Sequence, residues 1–496
     1  MKFNIATFAF AIAFVILFSW STQSESNDLD IYSKLQNYVF ESLPQEQYNL
    51  YKNDVISLNF SNSVISQIGP DFITSPLIEN LYLSNNHIET IAHDAFRKLP
   101  NLTNLFLSNN MINTPNNLFS FGNHEKLKII IMNNATSNYQ KYQSTYIQEY
   151  PNLEILSLRN NNINQLKYLM QDLQCGSYST YCLQTLPLPK LKILDLSQNL
   201  LKNSEFVQIL PNTLVYLDLD GNKLKSFKLY KKGQNLVTLN LNNNQLHSVS
   251  LNCQIFPHYY VSCVELDNLK NLRYLSIAKN QIRNIYSDAF RDTDKLIYLN
   301  LSRNEIESEN LNSETFATLQ RLHTLDLSFN QLDNVPEVLN EIQISILSLR
   351  HNKIEKIDSN AFVQMPKLTT LSLKENHINW IDNKAFTDLS ILEELDLSEN
   401  KLHYLPERWC ESLISLKYLD LSGNTITSLE SLSLTNTIPL TELNLAMNQL
   451  EYLNIRYFED LPQNLTVHLV QDSNFTRRLM QTEFTYYFSW LRTVLI

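Results

Sequence analysis

The chain has 496 residues, a formal net charge of −11, five cysteines and only six glycines. An acidic balance disfavours nucleic acid or an anionic membrane as the main partner, because both are held by clustered Lys and Arg. The scattered glycines (Gly69, Gly122, Gly176, Gly221, Gly233, Gly423) build no phosphate cradle, and no G-x-S-x-G, H-E-x-x-H or C-x-x-C spacing occurs, so no enzyme activity, metal or cofactor is expected.

Residues 1–24 read as a signal peptide. Lys2 precedes an almost unbroken apolar run of 16 residues, Ile5 to Trp20, and small polar residues follow at Ser21 to Ser26. That run is short for a membrane span, and no second run of 18 or more apolar residues follows. The expected localisation is secreted and extracellular. Six Asn-x-Ser/Thr sequons, at Asn59, Asn101, Asn134, Asn300, Asn464 and Asn474, agree with export and make glycosylation expected. Residues 25–54 form an N-terminal cap without cysteine.

Residues 55–475 form a repeat array. The pattern L-x-x-L-x-L-x-x-N-x-L is clean from Leu102, Leu191, Leu296, Leu322, Leu392 and Leu416. It recurs from Val55, Ile78, Leu153, Leu214, Leu236, Leu272, Ile344, Leu368 and Leu440, and in degenerate form from Leu127 and Leu465, which makes 17 turns. Most starts are 22 to 26 residues apart. The L-x-L piece is a short strand whose leucines point inward and whose x residues point outward. One turn cannot bury its own apolar side, so neighbours must stack into one parallel sheet. The fold class is therefore α/β, a leucine-rich-repeat solenoid (horseshoe) with a concave parallel sheet. The repeated Asn, from Asn86 to Asn448, should form a ladder of amides bonded to neighbouring backbone. At the nineteenth position Phe96, Phe290, Phe362, Phe386 and Phe458 should stack as an aromatic spine. The Asp-Ala-Phe and Asn-Ala-Phe segments before Phe96, Phe290 and Phe362 suggest a short convex helix or 3₁₀ turn with an Asx cap.

Two turns are long, 38 residues from Leu153 and 36 from Leu236, and each carries two cysteines. Three strand spacings separate the inserts, ~14 Å, beyond the ~7 Å Cα limit of a disulfide. Local bridges Cys175–Cys182 and Cys253–Cys263 are expected in preference to cross-pairing or zinc. Cys410 is left over. Counted from Leu392 it falls on the nineteenth position, which favours a buried thiol over an intermolecular bridge. Residues 476–496 are a C-terminal cap or tail. Leu479, Phe484, Phe488, Leu491 and Leu495 lie near helical spacing, fitting a lid on the last turn or a helix for a partner.

The outward positions define a candidate binding face. Third-position residues include Tyr216, Tyr274 and Tyr298; fifth-position residues beside them include Asp195, Asp218 and Asn300. A tyrosine on an exposed strand has an apolar body and a polar tip, as interface anchors do. Tyr216, Asp218, Tyr274, Asp195 and Tyr298 are the candidate contacts, with Tyr298 weakened by the Asn300 sequon. The competing reading is that Tyr simply suits strands. The repeated strand aspartates, Asp195, Asp218, Asp326, Asp396 and Asp420, read as solvated strand residues rather than catalytic pairs. Phe106, Ile129, Ile131 and Ile155 make an apolar patch around the degenerate turn, where Ala135 replaces the ladder Asn.

The 24-residue turn with its later Phe resembles the extracellular class of leucine-rich repeat found in Toll-type receptor ectodomains, over roughly Val55 to Phe475. The leader, the cysteine-free start, Tyr38 to Glu41 (YVFE) and Val55 to Ser61 (VISLNFS) resemble the secreted leucine-rich immune proteins of mosquitoes. Longer members of that family end in paired cysteines and a coiled coil and bind complement-like thioester proteins. This chain has neither, which matches the coil-less subgroup and puts that partner in doubt. The resemblance implies a recognition or scaffold protein of innate immunity that binds an extracellular protein or glycan. The alternatives are an adhesion or matrix protein and a soluble decoy of a Toll-type receptor.

Overall fold

The computed structural model describes residues 56–470 apart from 114–117, 138–143, 169–185, 230–232, 252, 254–261, 312–313, 459–460 and 463. The leader, the N-terminal cap, the tail, Cys175, Cys182 and Asn474 lie outside the described residues. A 17-stranded parallel sheet runs through the array, from Ile56–Asn59 to Thr466–His468. Each strand pairs with the next turn's strand in order, Ile193–Asp195 with Tyr216–Asp218 and that with Thr238–Asn240. The two long turns do not break the order: Ile155–Ser157 still pairs with Ile193–Asp195, and Thr238–Asn240 with Tyr274–Ser276. All 17 turns read from the sequence supply one strand each.

The leucines drive this arrangement. Leu194, Leu217, Leu239 and Leu275 stand in register and are fully buried. They belong to one apolar cluster that runs from Ile68 to Leu445. Burying each such side chain contributes roughly 1.5–3 kcal/mol, but only once the neighbouring turn is in place.

The helical part of the expected α/β class is supplied by 3₁₀ turns; among the described residues there is no α-helix. Glu205–Ile209 and Glu337–Glu341 are the longest 3₁₀ segments. In the Asp-Ala-Phe segment the Arg97 N–H donates to Asp94 C=O at 3.0 Å and Leu99 N–H to Phe96 C=O at 3.0 Å. That is 3₁₀ bonding, too short to be a helix. The Asp94 carboxylate lies 3.2 Å from His93 Nδ1. The aromatic spine is present in pieces. Phe290 and Phe316 stack at 5.9 Å, Phe362 and Phe386 at 5.8 Å, and Phe386 meets Trp409 edge-on at 5.8 Å. Phe316 and Trp409 were not expected members; Cys410 is buried beside Trp409 in the core, and the Phe458 side chain lies outside the described set.

The asparagine ladder has a fixed bonding scheme. Asn376 Nδ2 donates to Leu349 C=O at 3.0 Å in the preceding turn and to Leu373 C=O at 2.9 Å in its own. Its Oδ1 accepts the Ile354 N–H at 3.2 Å. The same pattern recurs at Asn110, Asn222, Asn304 and Asn424. Where Ala135 replaces Asn, the backbone repairs the gap: the Ile112 N–H bonds the Ala135 carbonyl at 2.8 Å. Asn161 then accepts from the Ala135 and Thr136 amides.

This scheme makes a mid-ladder substitution costly. Asn376→Leu leaves the Ile354 N–H without a partner in a dry core, worth ~1–3 kcal/mol, and takes one of two amide donors from each of the Leu349 and Leu373 carbonyls. The expected loss is about 3 kcal/mol or more by urea unfolding, against less than about 0.5 kcal/mol for the exposed control Ile414→Ser. Equal midpoints for the two variants would remove the ladder's energetic role.

Candidate functional site

The sequence candidates fall on neighbouring strands. Asp195 stands opposite Asp218, and Tyr274 opposite Tyr298, with Thr238 between Tyr216 and Tyr274. The structure therefore brings all five together on the sheet face. Their accessibility differs from the expectation: Tyr216 and Tyr298 are 1% exposed, Tyr274 6%, Asp195 2% and Asp218 0%. The tyrosines are not open anchors, and the Tyr216 hydroxyl bonds Asp218 Oδ2 at 3.2 Å. The apolar patch of Phe106, Ile129, Ile131 and Ile155 is likewise buried.

The repeated aspartates are not solvated either, and their backbone bonds explain the period. Asp195 Oδ1 accepts the Ser197 N–H at 2.9 Å, and Asp218 Oδ1 that of Asp220 at 2.9 Å. Asp326, Asp396 and Asp420 bind the amides of Ser328, Ser398 and Ser422 at 2.9–3.0 Å. Asn240, Asn300 and Asn444 do the same with their amide oxygens. An oxygen two residues before the turn closes a local Asx-type ring, so the column is turn chemistry. Two members are burdened by burial. Burial pushes Asp326 upward, and burial together with the neighbouring Asp420 charge pushes Asp396 up to about 6.

Sequence reasoning missed a second column, the residue just before each ladder Asn. It has a left-handed backbone in turn after turn: Asn85 (φ 56), Asn109 (φ 54), Lys279 (φ 54), Arg303 (φ 56), Phe329 (φ 56), His351 (φ 51) and Glu375 (φ 53). That conformation lets its N–H reach the next turn's carbonyl, as Phe329 N–H does to Arg350 C=O at 2.8 Å. Asn and Gly tolerate it; other residues are strained by roughly 1–2 kcal/mol. Early turns use Asn and add a side-chain chain, Asn109 Nδ2 to Asn85 Oδ1 at 2.7 Å. The middle turns instead carry charge and aromatics. The Arg303 guanidinium lies 3.8 Å from the Phe329 ring centroid, and the Arg350 guanidinium 5.2 Å from it. His351 stacks on Phe329 at 3.9 Å and pairs with Glu375; burial holds its imidazole below the usual range. The legible signal was the variable residue in S-R-N, S-F-N, R-H-N and K-E-N.

The inserts and cysteines are partly described. Cys253 and Cys263 are bridged, with Cα atoms 6.1 Å apart. The returning strand Cys263–Glu265 packs beside Ser248–Ser250, which in turn pairs Asn284–Ile285, and Val264 also bridges Phe227. The second insert thus adds a rung behind the main sheet, and Glu265 is ion-paired with Lys228. Cys410 is a free, fully buried thiol, pushed upward by that burial. Asn59, Asn134 and Asn464 are exposed and Asn101 is half-buried, whereas Asn300 is 8% exposed and its Oδ1 is tied to Ser302 N–H, a poor position for a glycan. Among the described residues no group of three or more His, Cys, Asp or Glu could hold a metal ion, and no helix is long and apolar enough to cross a membrane.

A family model described as leucine rich repeat matches residues 76–134, 270–332, 342–402 and 366–426. Mouse podocan is 28% identical over 332 residues, covering 64% of this chain and 51% of podocan. Human lumican is 31% identical over 248 residues, covering 43% of this chain and 69% of lumican. The structure of the Toll–Spatzle complex from Drosophila matches with a TM-score of 0.57 at 17% identity, over 79% of this chain and 51% of the matched one, a likeness of fold. The chain therefore spans about half the length of podocan and of that solved chain.

The Asp396 carboxyl yields a signed prediction. Its folded value of about 6 lies above the ordinary carboxylate value, so the folded state holds the proton between roughly pH 4 and 6. Stability from this group is full below about pH 4 and is lost as pH rises through about 6. Asp396→Asn keeps an oxygen for Ser398 and removes the buried charge. It should raise stability at pH 7.5 by on the order of 2 kcal/mol and have little effect at pH 4. Thermal melts at the two pH values check this; a gain confined to pH 4 contradicts it.

Proposed function

Because the chain belongs to the leucine-rich-repeat family, we propose that it is a secreted recognition and scaffold protein that holds another protein against its sheet face. The observation that carries this reading is the run of 17 parallel strands, in regular register after a single shift at Ile56 and Ser57 in the first pair. It presents side chains from successive turns at a fixed spacing of ~4.8 Å on a rigid base, which suits a broad macromolecular contact. The Cys253–Cys263 bridge supports an oxidising, extracytoplasmic setting. The likeness to podocan and lumican, proteins of the extracellular kind, supports the same location.

The finer reading is a role in innate immunity, with an extracellular protein such as a complement-like thioester protein as the partner class and a glycan as the other ligand class. The podocan and lumican likeness also favours a second reading, an adhesion or matrix protein. Transcript levels separate them: induction by infection supports the immune role, and constant expression at tissue boundaries supports the matrix role.

The face can be tested with two single substitutions in one turn, the one that starts at Leu368. Thr370→Asn creates the sequon Asn-Leu-Ser on the sheet face, where Thr370 is half-buried; Asp388→Asn creates the same sequon on the back, where Asp388 is exposed. Both glycoproteins should melt like the parent. In pull-downs from extracellular fluid the parent and the Asp388 variant should retain one co-purifying protein, and the Thr370 variant should lose it. Retention by both occupied variants would sink the sheet-face assignment.

A further inference from the structure

We propose that Arg303, Phe329 and Arg350 form a preorganised surface site for a carboxylate on an acidic loop of a protein partner. The proposal rests on the recognition reading above and names its chemistry. Two guanidiniums share one aromatic ring, at 3.8 and 5.2 Å from its centroid. Among the described residues neither guanidinium has a carboxylate within 4.0 Å, although the Asp326 charge acts on Arg350 and the chain is acidic overall. Arg350 Nε is buried and has no hydrogen-bond partner. The covered Nε cannot itself meet a ligand, so an incoming carboxylate has to bond the terminal guanidinium nitrogens of Arg303 and Arg350.

The nearby acids are already engaged. Asp326 accepts the Ser328 N–H at 2.9 Å, and Glu375 pairs with His351 and lies 3.7 Å from Lys374 Nζ. The backbone adds an independent sign. Phe329 sits at φ 56, where early turns place Asn. A bulky aromatic in that region is strained, and nothing in the ladder requires a ring there. The ring's evident contribution is to hold the Arg303 guanidinium flat, which leaves its donor fork ready for a bidentate carboxylate.

The surroundings select the occupant. Toward the C-terminus the neighbouring turns carry Glu394 and Glu399 beside the ion-paired Glu375 and Glu393, an acidic surround that disfavours an extended polyanion. A single carboxylate beside an apolar side chain suits the cluster, since Arg and aromatics together are the usual hot-spot residues of protein interfaces.

The test uses the intact exported chain and two fluorescein-labelled peptides, Gly-Glu-Leu-Glu-Gly and its Gln counterpart, read by anisotropy at low salt. Heparin serves as the polyanion probe. The Glu peptide should bind and the Gln peptide should not. Arg303→Ala and Arg350→Ala should each weaken binding at least tenfold, with Arg291→Ala as an unaffected surface control. Phe329→Asn separates site from scaffold: binding should fall at least tenfold while the melting temperature is kept or raised, because Asn relieves the strained backbone. No binding of the Glu peptide, equal binding by the Arg variants, or binding of heparin alone would each overturn the proposal. The sheet-face glycan pair is an independent readout, so the recognition reading can stand if this site falls.

Discussion

The amide of the ladder asparagine is the interaction on which the rest of the array depends. At this point in each turn the chain leaves the sheet and folds back into an apolar interior, where backbone groups have no water to bond. One side chain with two donors and an acceptor joins two turns at once: Asn400 donates to Leu373 and Leu397 and accepts from Ile378. Leucine burial supplies the larger energy, but it is non-directional. The amides set which strand lies beside which, and so fix the register that puts like positions into columns. The degenerate turn shows how strict the need is. With Ala135 in place of Asn, a main-chain carbonyl takes over the Ile112 amide.

Once columns exist, each acquires its own physics. The fifth-position oxygen closes a local ring with the amide two residues on, which accounts for the recurrence of Asp and Asn there without any catalytic purpose. Stacked one turn apart, these carboxylates share a poorly solvated strip, and the Asp396–Asp420 pair shows the electrostatic cost. The column before the ladder Asn has the opposite character. Its backbone is strained for most residue types, yet its side chains reach the surface. Asn resolves the strain in the early turns, while Arg303, Phe329 and His351 accept it in the middle. A repeat protein can vary such a position without disturbing the leucines beneath, which is how one scaffold accommodates a local recognition patch.

The second insert follows a related logic. A 36-residue turn would leave loose chain behind the sheet, but its returning strand is paired to a neighbouring rung and its base is closed by Cys253–Cys263. The main sheet continues past it without a shift.

The sequence by itself determined the solenoid, the number of turns, the ladder, the Cys253–Cys263 pairing and the buried state of Cys410. These follow from period and spacing, because a repeated turn has one way to bury its leucines and pair its amides. Accessibility was decided only by the tertiary structure. Knowing that Tyr216 alternates away from the core does not say whether it meets water, and it does not: it is buried and bonded to Asp218. The same holds for the aspartates, whose role lies in a bond to a backbone amide two residues away. The Arg303–Phe329–Arg350 cluster unites residues 47 positions apart, from Arg303 to Arg350, through the stacking of three turns. Its left-handed backbone leaves no mark in a pattern of leucines, since φ is set by the turn geometry and not by the hydrophobic period.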